Sequence, residues 1–290
     1  MSRATSTVVD VSVFLLLVGA AVAVVVNGAA VEQARTENPA AERTELLATS
    51  TASIEYALRV PGDPPNWTAN ATATHIRTAH GTLAGLLAEA AMSRVSYERH
   101  RLSRAGTGFE RAVATTTRNR LHERGRRTAV RVRWDPYRGA PLNATMWVGE
   151  RPPPSADVDA ATTTVPSPAP AVSQRAQRAA SQGGYRAVAT VVAGAVIQGL
   201  FPPNQTKLAL DGDYPADQLM AQRYRRMGVL TRAGQLSVTS TAASDLNRQL
   251  TAALAARFED HMRDRFRSPE AAADAVRTGS VTITVRTWVP

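Results

Sequence analysis

The feature that most constrains this chain is an apolar run close to its start. Residues 8–26 read VVDVSVFLLLVGAAVAVVV, and after Asp10 the only polar member is Ser12. As a helix, this run would extend about 28 Å, which is close to the hydrocarbon thickness of a bilayer. It lacks the polar stripe that a helix packed on a globular core carries. The run therefore predicts a single transmembrane helix.

The charges on either side of the run predict its orientation. Arg3 and the amino terminus precede it, whereas glutamates outnumber Arg35 and Arg43 between residues 32 and 45. The positive-inside rule then places the N-terminus in the cytoplasm and the rest of the chain outside. The alternative is a cleaved secretory signal, because residues 28–30 are small enough for a signal peptidase. The length of the run and the carboxylate of Asp10 favour an anchor that is retained.

Asn-x-Thr sequons independently support export. Four asparagines stand in this motif, namely Asn66, Asn70, Asn143 and Asn204. Glycosylation acceptors are exposed loop residues outside the cytoplasm. The sequence therefore predicts a glycoprotein.

The basic residues are concentrated in one stretch. The net charge is +10, and residues 94–133 hold twelve arginines against three glutamates. One interpretation is a surface for an acidic partner, with contacts from Arg118, Arg120, Arg124, Arg126 and Arg127. The other is a solvated helix face and the outward face of a strand. Few aromatic residues stand there to stack bases, so we expect no nucleic acid partner.

Hydrophobic spacing predicts an α+β fold, in which the N-terminal transmembrane helix precedes a mainly helical extracytoplasmic domain with a small antiparallel sheet. Apolar residues at helical spacing predict helices over residues 40–60, 75–95, 109–124, 187–197, 214–230 and 244–266. Alternation predicts strands over residues 130–134 and 281–286, with weaker candidates at 146–148 and 162–165.

These elements divide the chain into four parts. The predicted parts are a cytoplasmic tip and anchor (1–30), a helical region with the first strands (31–150), a Pro-rich linker or edge segment (151–172) and a mainly helical region ending in a strand (173–290). The absence of cysteine excludes disulfides, so a domain outside the cytoplasm depends on its core for stability.

No residue pattern identifies a reaction. The five histidines lack the His-Glu-x-x-His spacing of a zinc enzyme. Asp211, Asp213 and Asp217 lack the terminal glutamate of a calcium loop. We therefore predict no catalytic residue, metal, cofactor or small-molecule substrate. The alternative is an extracellular enzyme whose site uses His80, Asp213 or Glu259.

Residues 3–10 read RATSTVVD and lead directly into the apolar run. This start resembles that of type IV pilin-like chains and Tad-type pseudopilins. The resemblance implies a peptidase cut between Ala4 and Thr5, and a carboxylate at Asp10 that pairs with a neighbouring subunit. Two features depart from that pattern. Alanine replaces the usual glycine before the cut, and the acidic residue is an aspartate at the sixth mature position instead of the fifth.

Four short segments read TAHGTLA (78–84), LFPP (200–203), GDYP (212–215) and VRTW (285–288). They resemble an uncharacterised haloarchaeal family of single-span membrane proteins encoded beside pilus or secretion-type assembly genes. No activity follows from this resemblance. We expect a non-enzymatic, membrane-anchored surface protein, pilin-like or accessory to an envelope assembly, with the membrane and assembly subunits as partners. The alternatives are a tethered binding module that uses the arginine-rich surface, and the extracellular enzyme.

Overall fold

A computed structural model describes residues 38–58 and 76–290, and an antiparallel sheet organises this part of the chain. The strands are β1 (Thr51–Ala57), β2 (Ile76–Thr82), β3 (Ser96–Tyr97), β4 (His100–Arg101), β5 (Arg127–Trp134), β6 (Leu142–Val148), β7 (Asp159–Pro166) and β8 (Ser280–Trp288). Six of them form one sheet in the order β4-β3-β6-β5-β8-β7, and β1 pairs with β2 in a separate hairpin.

Helices lie between the strands and follow them. They are α1 (Pro39–Thr49), α2 (Leu83–Met92), α3 (Thr107–Leu121), α4 (Ser173–Leu200), α5 (Pro203–Asp211), α6 (Ala216–Thr231), α7 (Ala243–Arg265) and α8 (Pro269–Asp274).

Alternating side chains give the central strands one apolar and one polar face. In β5, Val130 and Val132 are buried, while Arg131 and Arg133 are half-buried. β8 repeats the pattern, with valine and isoleucine on the inner face and threonine and Arg286 on the outer face. Because successive residues of a strand point to opposite sides, the arginines of both strands stand on the outer face.

Two helices cover the inner face of the sheet. α1 packs against β7 and β8, and α2 packs against β5 and β6. Leu83, Leu86 and Leu87 of α2 are fully buried, and each contributes about 1.5–3 kcal/mol to folding. α2 begins directly after β2 because the Thr82 hydroxyl accepts a hydrogen bond from the Gly85 N–H at 3.1 Å.

An aromatic cluster joins the C-terminal helices to the sheet. The ring of Tyr137, in the loop after β5, lies 5.2 Å from the ring of Phe258 and 6.2 Å from that of Phe266. Tyr137 also forms a β-bridge with Val276, just before β8. α4 packs along α7 and against α8. Residues Pro39–Pro290 consequently form one compact unit.

Two glycines bend the long helix α4. Gly183 and Gly184 leave helical geometry, and Gly184 has φ +62° and ψ −153°, a conformation that residues with a side chain rarely adopt. Both halves of α4 bury one face: Ala176 and Ala180 before the bend, and Val188 and Val192 after it. The bend thus redirects the helix so that each half packs on a different part of the core.

The fold class predicted from the sequence is wrong in two respects. Within residues 38–58 and 76–290, no single helix is both long and apolar enough to cross a membrane, and α4 with α5 meets those criteria only as a bent pair. The run at residues 8–26, to which the transmembrane prediction applied, lies outside the described residues. The sheet is also not small, because six strands form it. Five of them lie between residues 96 and 166, and the sixth, β8, follows the C-terminal helices. The described chain is α+β.

Two predicted helices contain strands instead. The described parts of these ranges, residues 40–58 and 76–95, contain α1 with β1 and β2 with α2, respectively. β1 and β2 pair along seven residues each, with Ile54 opposite Ala79. Strand formation there depends on a pairing partner distant in sequence, which local spacing does not reveal. The other helices and strands predicted within the described residues are confirmed, although α4 extends well beyond 187–197, and residues 151–172 contain the edge strand β7.

A buried carboxylate fixes the loop that follows β5. Asp135 is 3 % exposed and accepts hydrogen bonds from Arg277 at 2.9 and 2.7 Å and from Arg133 at 2.8 Å. The N–H of Gly139 donates a fourth bond at 3.1 Å. Arg277 precedes β8, so this carboxylate ties two distant parts of the chain together. Four donors offset the cost of burying its charge.

We expect Asp135→Ala to lower the free energy of unfolding by about 2–4 kcal/mol, because two arginines and a backbone N–H lose their common acceptor. Urea denaturation of the full chain measures this. Asp245→Ala is the control, since Asp245 pairs with Arg248 at an exposed site and its loss should cost less than about 1 kcal/mol. Equal losses in the two variants would contradict a structural role for the Asp135 carboxylate.

Candidate functional site

A basic cleft of about 540 Å³ lies where β5 begins and β6 ends, beside the C-terminal half of α3. α3 and the residues that follow it supply one wall, and the two strand ends supply the other. The side chains that carry its chemistry are Arg118, His122, Arg126, Arg127, Trp147, Glu150 and Trp288. We call this feature the basic cleft.

The basic cleft contains some of the arginines predicted to contact an acidic partner, but not all of them. Arg118, Arg126 and Arg127 line it, whereas Arg120 and Arg124 are exposed and lie outside its lining. Arg126 faces Asp159 across 3.8 Å. Within the described residues, Arg118 donates to groups of its own helix alone. The predicted contact with an anionic partner stays a prediction. The five arginines named for it fall into two groups, three that line the basic cleft and two that do not.

A buried glutamate forms ion pairs with two other arginines of the basic stretch. Glu110 is 4 % exposed and accepts hydrogen bonds from Arg94 at 2.8 Å, from the Ser93 hydroxyl at 3.0 Å and from Arg101. Arg94 also donates to the carbonyl oxygen of Thr145 at 3.1 Å. These arginines hold α2, β4, β6 and α3 together, so they are structural residues rather than a free binding surface.

Beside the basic cleft, three guanidinium groups surround one indole ring on the outer face of the sheet. Those of Arg151, Arg131 and Arg286 lie 5.0, 5.5 and 5.7 Å from the ring centre of Trp147. These distances are in the range of cation–π contacts. We call these four residues the tryptophan cluster. Trp147 also lines the basic cleft, so the two features are contiguous.

The three arginines of the tryptophan cluster have no carboxylate at ion-pair distance in the part of the chain that the structure describes. Among the described residues, Arg131, Arg151 and Arg286 form no ion pair, while the neighbouring Arg133 is paired with Asp135. Burial lowers the pKa of Arg131, and repulsion from Arg133, Arg286 and Arg151 lowers that pKa further, while the Asp135 carboxylate offsets part of the effect. The buried Nε of Arg131 has no hydrogen-bond partner within the described chain. Unbalanced positive charge is thus held at a half-buried position.

Sequence reasoning missed the tryptophan cluster. Its members come from three separate segments, and only Arg131 lies in the basic stretch at 94–133. The signal that could have found part of it is strand alternation, which places Arg131 and Arg286 on polar faces of predicted strands. Their convergence on Trp147 depends on strand order, which alternation alone does not give.

The other predicted site residues are dispersed. Asn143 is half-buried in β6 and its amide donates to the Ala140 carbonyl oxygen at 3.3 Å, a constrained position for a glycan acceptor. Asn204 is exposed in the first turn of α5. The residues that lie outside the described part of the chain are Ala4, Thr5, Asp10, Asn66 and Asn70.

The polar residues considered for catalysis occupy different elements. His80 lies on β2, and Asp213 lies between α5 and α6. Glu259 of α7 pairs with Arg263 at 2.7 Å and lines a cavity of about 660 Å³ against α4, without His80 or Asp213 in that lining. In residues 38–58 and 76–290, no group of three or more histidine or acidic side chains could hold a metal ion.

The wall of the basic cleft depends on a close approach at Gly149, which has φ +83°. A Cβ atom there would lie 2.2 Å from the carbonyl oxygen of Thr128. Gly125 offers a matched control, because it has φ +81° and open space around the added atom. We expect Gly125→Ala to cost about 1–2 kcal/mol for its backbone conformation alone. Gly149→Ala should cost at least about 2 kcal/mol more.

Thermal and urea unfolding of the two glycine variants would measure this difference. Similar stabilities for the two variants would show that Gly149, which follows β6, does not approach the Thr128 carbonyl oxygen as closely as the structure places it.

Comparison with known proteins identifies a family but no activity. Residues 9–288 match a family of unknown function (DUF7284). No curated protein and no solved structure matches the chain. Since the family match covers nearly the whole sequence, the chain belongs to this family of unknown function, DUF7284.

Proposed function

We propose that this protein is a non-enzymatic binding module of the cell surface that holds an acidic partner in the basic cleft. One observation supports this most: three arginines, Arg118, Arg126 and Arg127, line one cleft together with a single carboxylate, that of Glu150. Of the three, only Arg126 is in an ion pair within the described residues. By contrast, Glu110 and Asp135 each neutralise a pair of arginines elsewhere in the described chain. Guanidinium groups without a partner bind carboxylates and phosphates through paired N–H donors.

The proposed location rests on the sequence. Residues 8–26 would attach the chain to a membrane, and the charge asymmetry around them would place residues 38–290 on the extracytoplasmic side. Of the two sequons in the described residues, exposed Asn204 suits glycosylation on that side better than half-buried Asn143.

The division of the predicted arginines provides a matched test of the proposed function. Arg118→Gln/Arg127→Gln removes two charges from the basic cleft, and Arg120→Gln/Arg124→Gln removes two charges outside it. We expect the first variant to bind immobilised polyglutamate at least about tenfold more weakly than the wild type, because charge-assisted hydrogen bonds are lost. The second variant should lose less than about threefold, since its charges act only through screened, longer-range attraction.

Biolayer interferometry with the purified full chain, at two salt concentrations, measures both affinities. Equal losses in the two double variants would show that net charge, and not the basic cleft, determines binding. Unchanged binding in both variants would eliminate the arginine surface as a contact.

We further propose that the chain is a pilin-like or accessory subunit of an envelope assembly. The support is the RATSTVVD start, with Ala4 and Thr5 at the cut and Asp10 as the carboxylate that pairs with a neighbouring subunit. A carboxylate near lipid needs a compensating charge, which the amine of an adjacent processed chain would supply.

Mass spectrometry of the mature terminus tests the pilin-like proposal. Processing by a prepilin-type peptidase should yield a chain that begins at Thr5, and Ala4→Leu should abolish the cut because the residue before it must be small. A mature chain that begins at Met1 or Ser2 would contradict the proposal. A terminus near residues 28–30 would instead indicate a secretory signal.

A further inference from the structure

We infer that the tryptophan cluster is a binding site for one compact dianion, a phosphate or sulfate group. The inference rests on the proposed function, which is the binding of an acidic partner. It names the chemical group of that partner that the tryptophan cluster, next to the basic cleft, would bind. It concerns Arg131, Arg151 and Arg286 around Trp147, and not the arginines of the basic cleft.

Sheet register brings the cluster together on rigid backbone. Trp147 of β6 lies directly opposite Arg131 of β5. Arg286 of β8 lies opposite Ala129, two residues before Arg131 and on the same outer face. Ala129 is fully buried and small, so the Arg286 side chain can reach across it to Trp147, where its guanidinium lies 5.7 Å from the ring centre. A site assembled on paired strands is more precise than one built on loops.

The guanidinium groups keep donors available for a ligand. A guanidinium that packs its flat face against an aromatic ring still presents N–H groups at its edges. No side-chain hydrogen bond from Arg131, Arg151 or Arg286 reaches another described residue. By contrast, the guanidinium of Arg277 donates to both oxygens of Asp135.

The amount and density of the charge favour a dianion over a carboxylate. Three cations share one indole ring, and a single carboxylate would neutralise only one of them. A phosphate or sulfate group places two negative charges and several acceptor oxygens on one centre, so more than one guanidinium can donate to it at once. With guanidinium groups around Trp147, recognition would depend on charge and hydrogen bonds rather than on stacking a ring.

Titration of the purified full chain with simple anions at low salt tests the inference. We expect inorganic phosphate and sulfate to bind at least about tenfold more tightly than acetate, because each offers a second charge to the same cluster. Isothermal titration calorimetry measures the affinities, and a change in indole fluorescence that disappears in Trp147→Phe locates binding at the cluster.

Glycerol phosphate tests whether the cluster accepts a phosphate ester. Tighter binding of glycerol phosphate than of inorganic phosphate would point to an esterified group on a larger ligand, and the reverse order to the free ion.

Matched variants separate the site from general charge. Arg131→Gln/Arg151→Gln/Arg286→Gln should lose phosphate binding, while Arg175→Gln/Arg178→Gln/Arg267→Gln removes the same charge from exposed positions and should retain it. If the cluster variant fails to fold, Arg151→Gln alone serves, because Arg151 is exposed and follows the strand; it should weaken phosphate binding several-fold.

Phosphate binding at the tryptophan cluster and polyglutamate binding at the basic cleft can fail independently, so the two tests are distinguishable. Phosphate affinity equal to acetate affinity, or unchanged in the cluster variants, would overturn the inference even if polyglutamate still binds the basic cleft. Phosphate binding that survives in Arg118→Gln/Arg127→Gln but not in the cluster variant would support the inference, even if polyglutamate binding fails.

Discussion

The rest of this structure depends on the period-two alternation along β5 and β8. Burying Val130 and Val132 against α2 requires that Arg131 and Arg133 point the other way. A shift of one residue in register would place guanidinium groups in the core and valines in water. The hydrophobic effect that stabilises the sheet therefore also determines which cations stand on its outer face. The position of the basic surface is therefore a consequence of how the sheet folds.

Two buried carboxylates divide the arginines into structural and available groups. Glu110 binds Arg94 and Arg101, and Asp135 binds Arg133 and Arg277, each at a junction between elements that are distant in sequence. Counting charges in residues 94–133 cannot make this division, because the partner carboxylates are identified by contact. Among the arginines that form no ion pair within the described residues, Arg131, Arg151 and Arg286 lie around Trp147, and Arg118 and Arg127 line the basic cleft.

The sequence predicted those elements whose stability is local or strongly patterned. Alternation found β5 and β8, and leucines at steps of four found α7. Sequence-based prediction failed at β1 and β2. Their alanines and threonines are compatible with a helix or a strand, and pairing with the antiparallel partner determines that they form strands. The candidate site followed the same rule. Arg118, Arg126 and Arg127 were found as part of a dense local run, whereas the tryptophan cluster requires β6, β5 and β8 to lie side by side.

The glycine pair in α4 has a consequence for how the molecule opens. A continuous helix of 28 residues would unfold as one cooperative segment, because each turn supports the next. Gly183 and Gly184 interrupt that cooperativity, so the half before the bend, in which Gln177 contacts Asp274 of α8, can open separately from the half packed along α7. Amide protons on the two sides of the bend would then exchange with solvent on different timescales, each set by the buried residues of its own half.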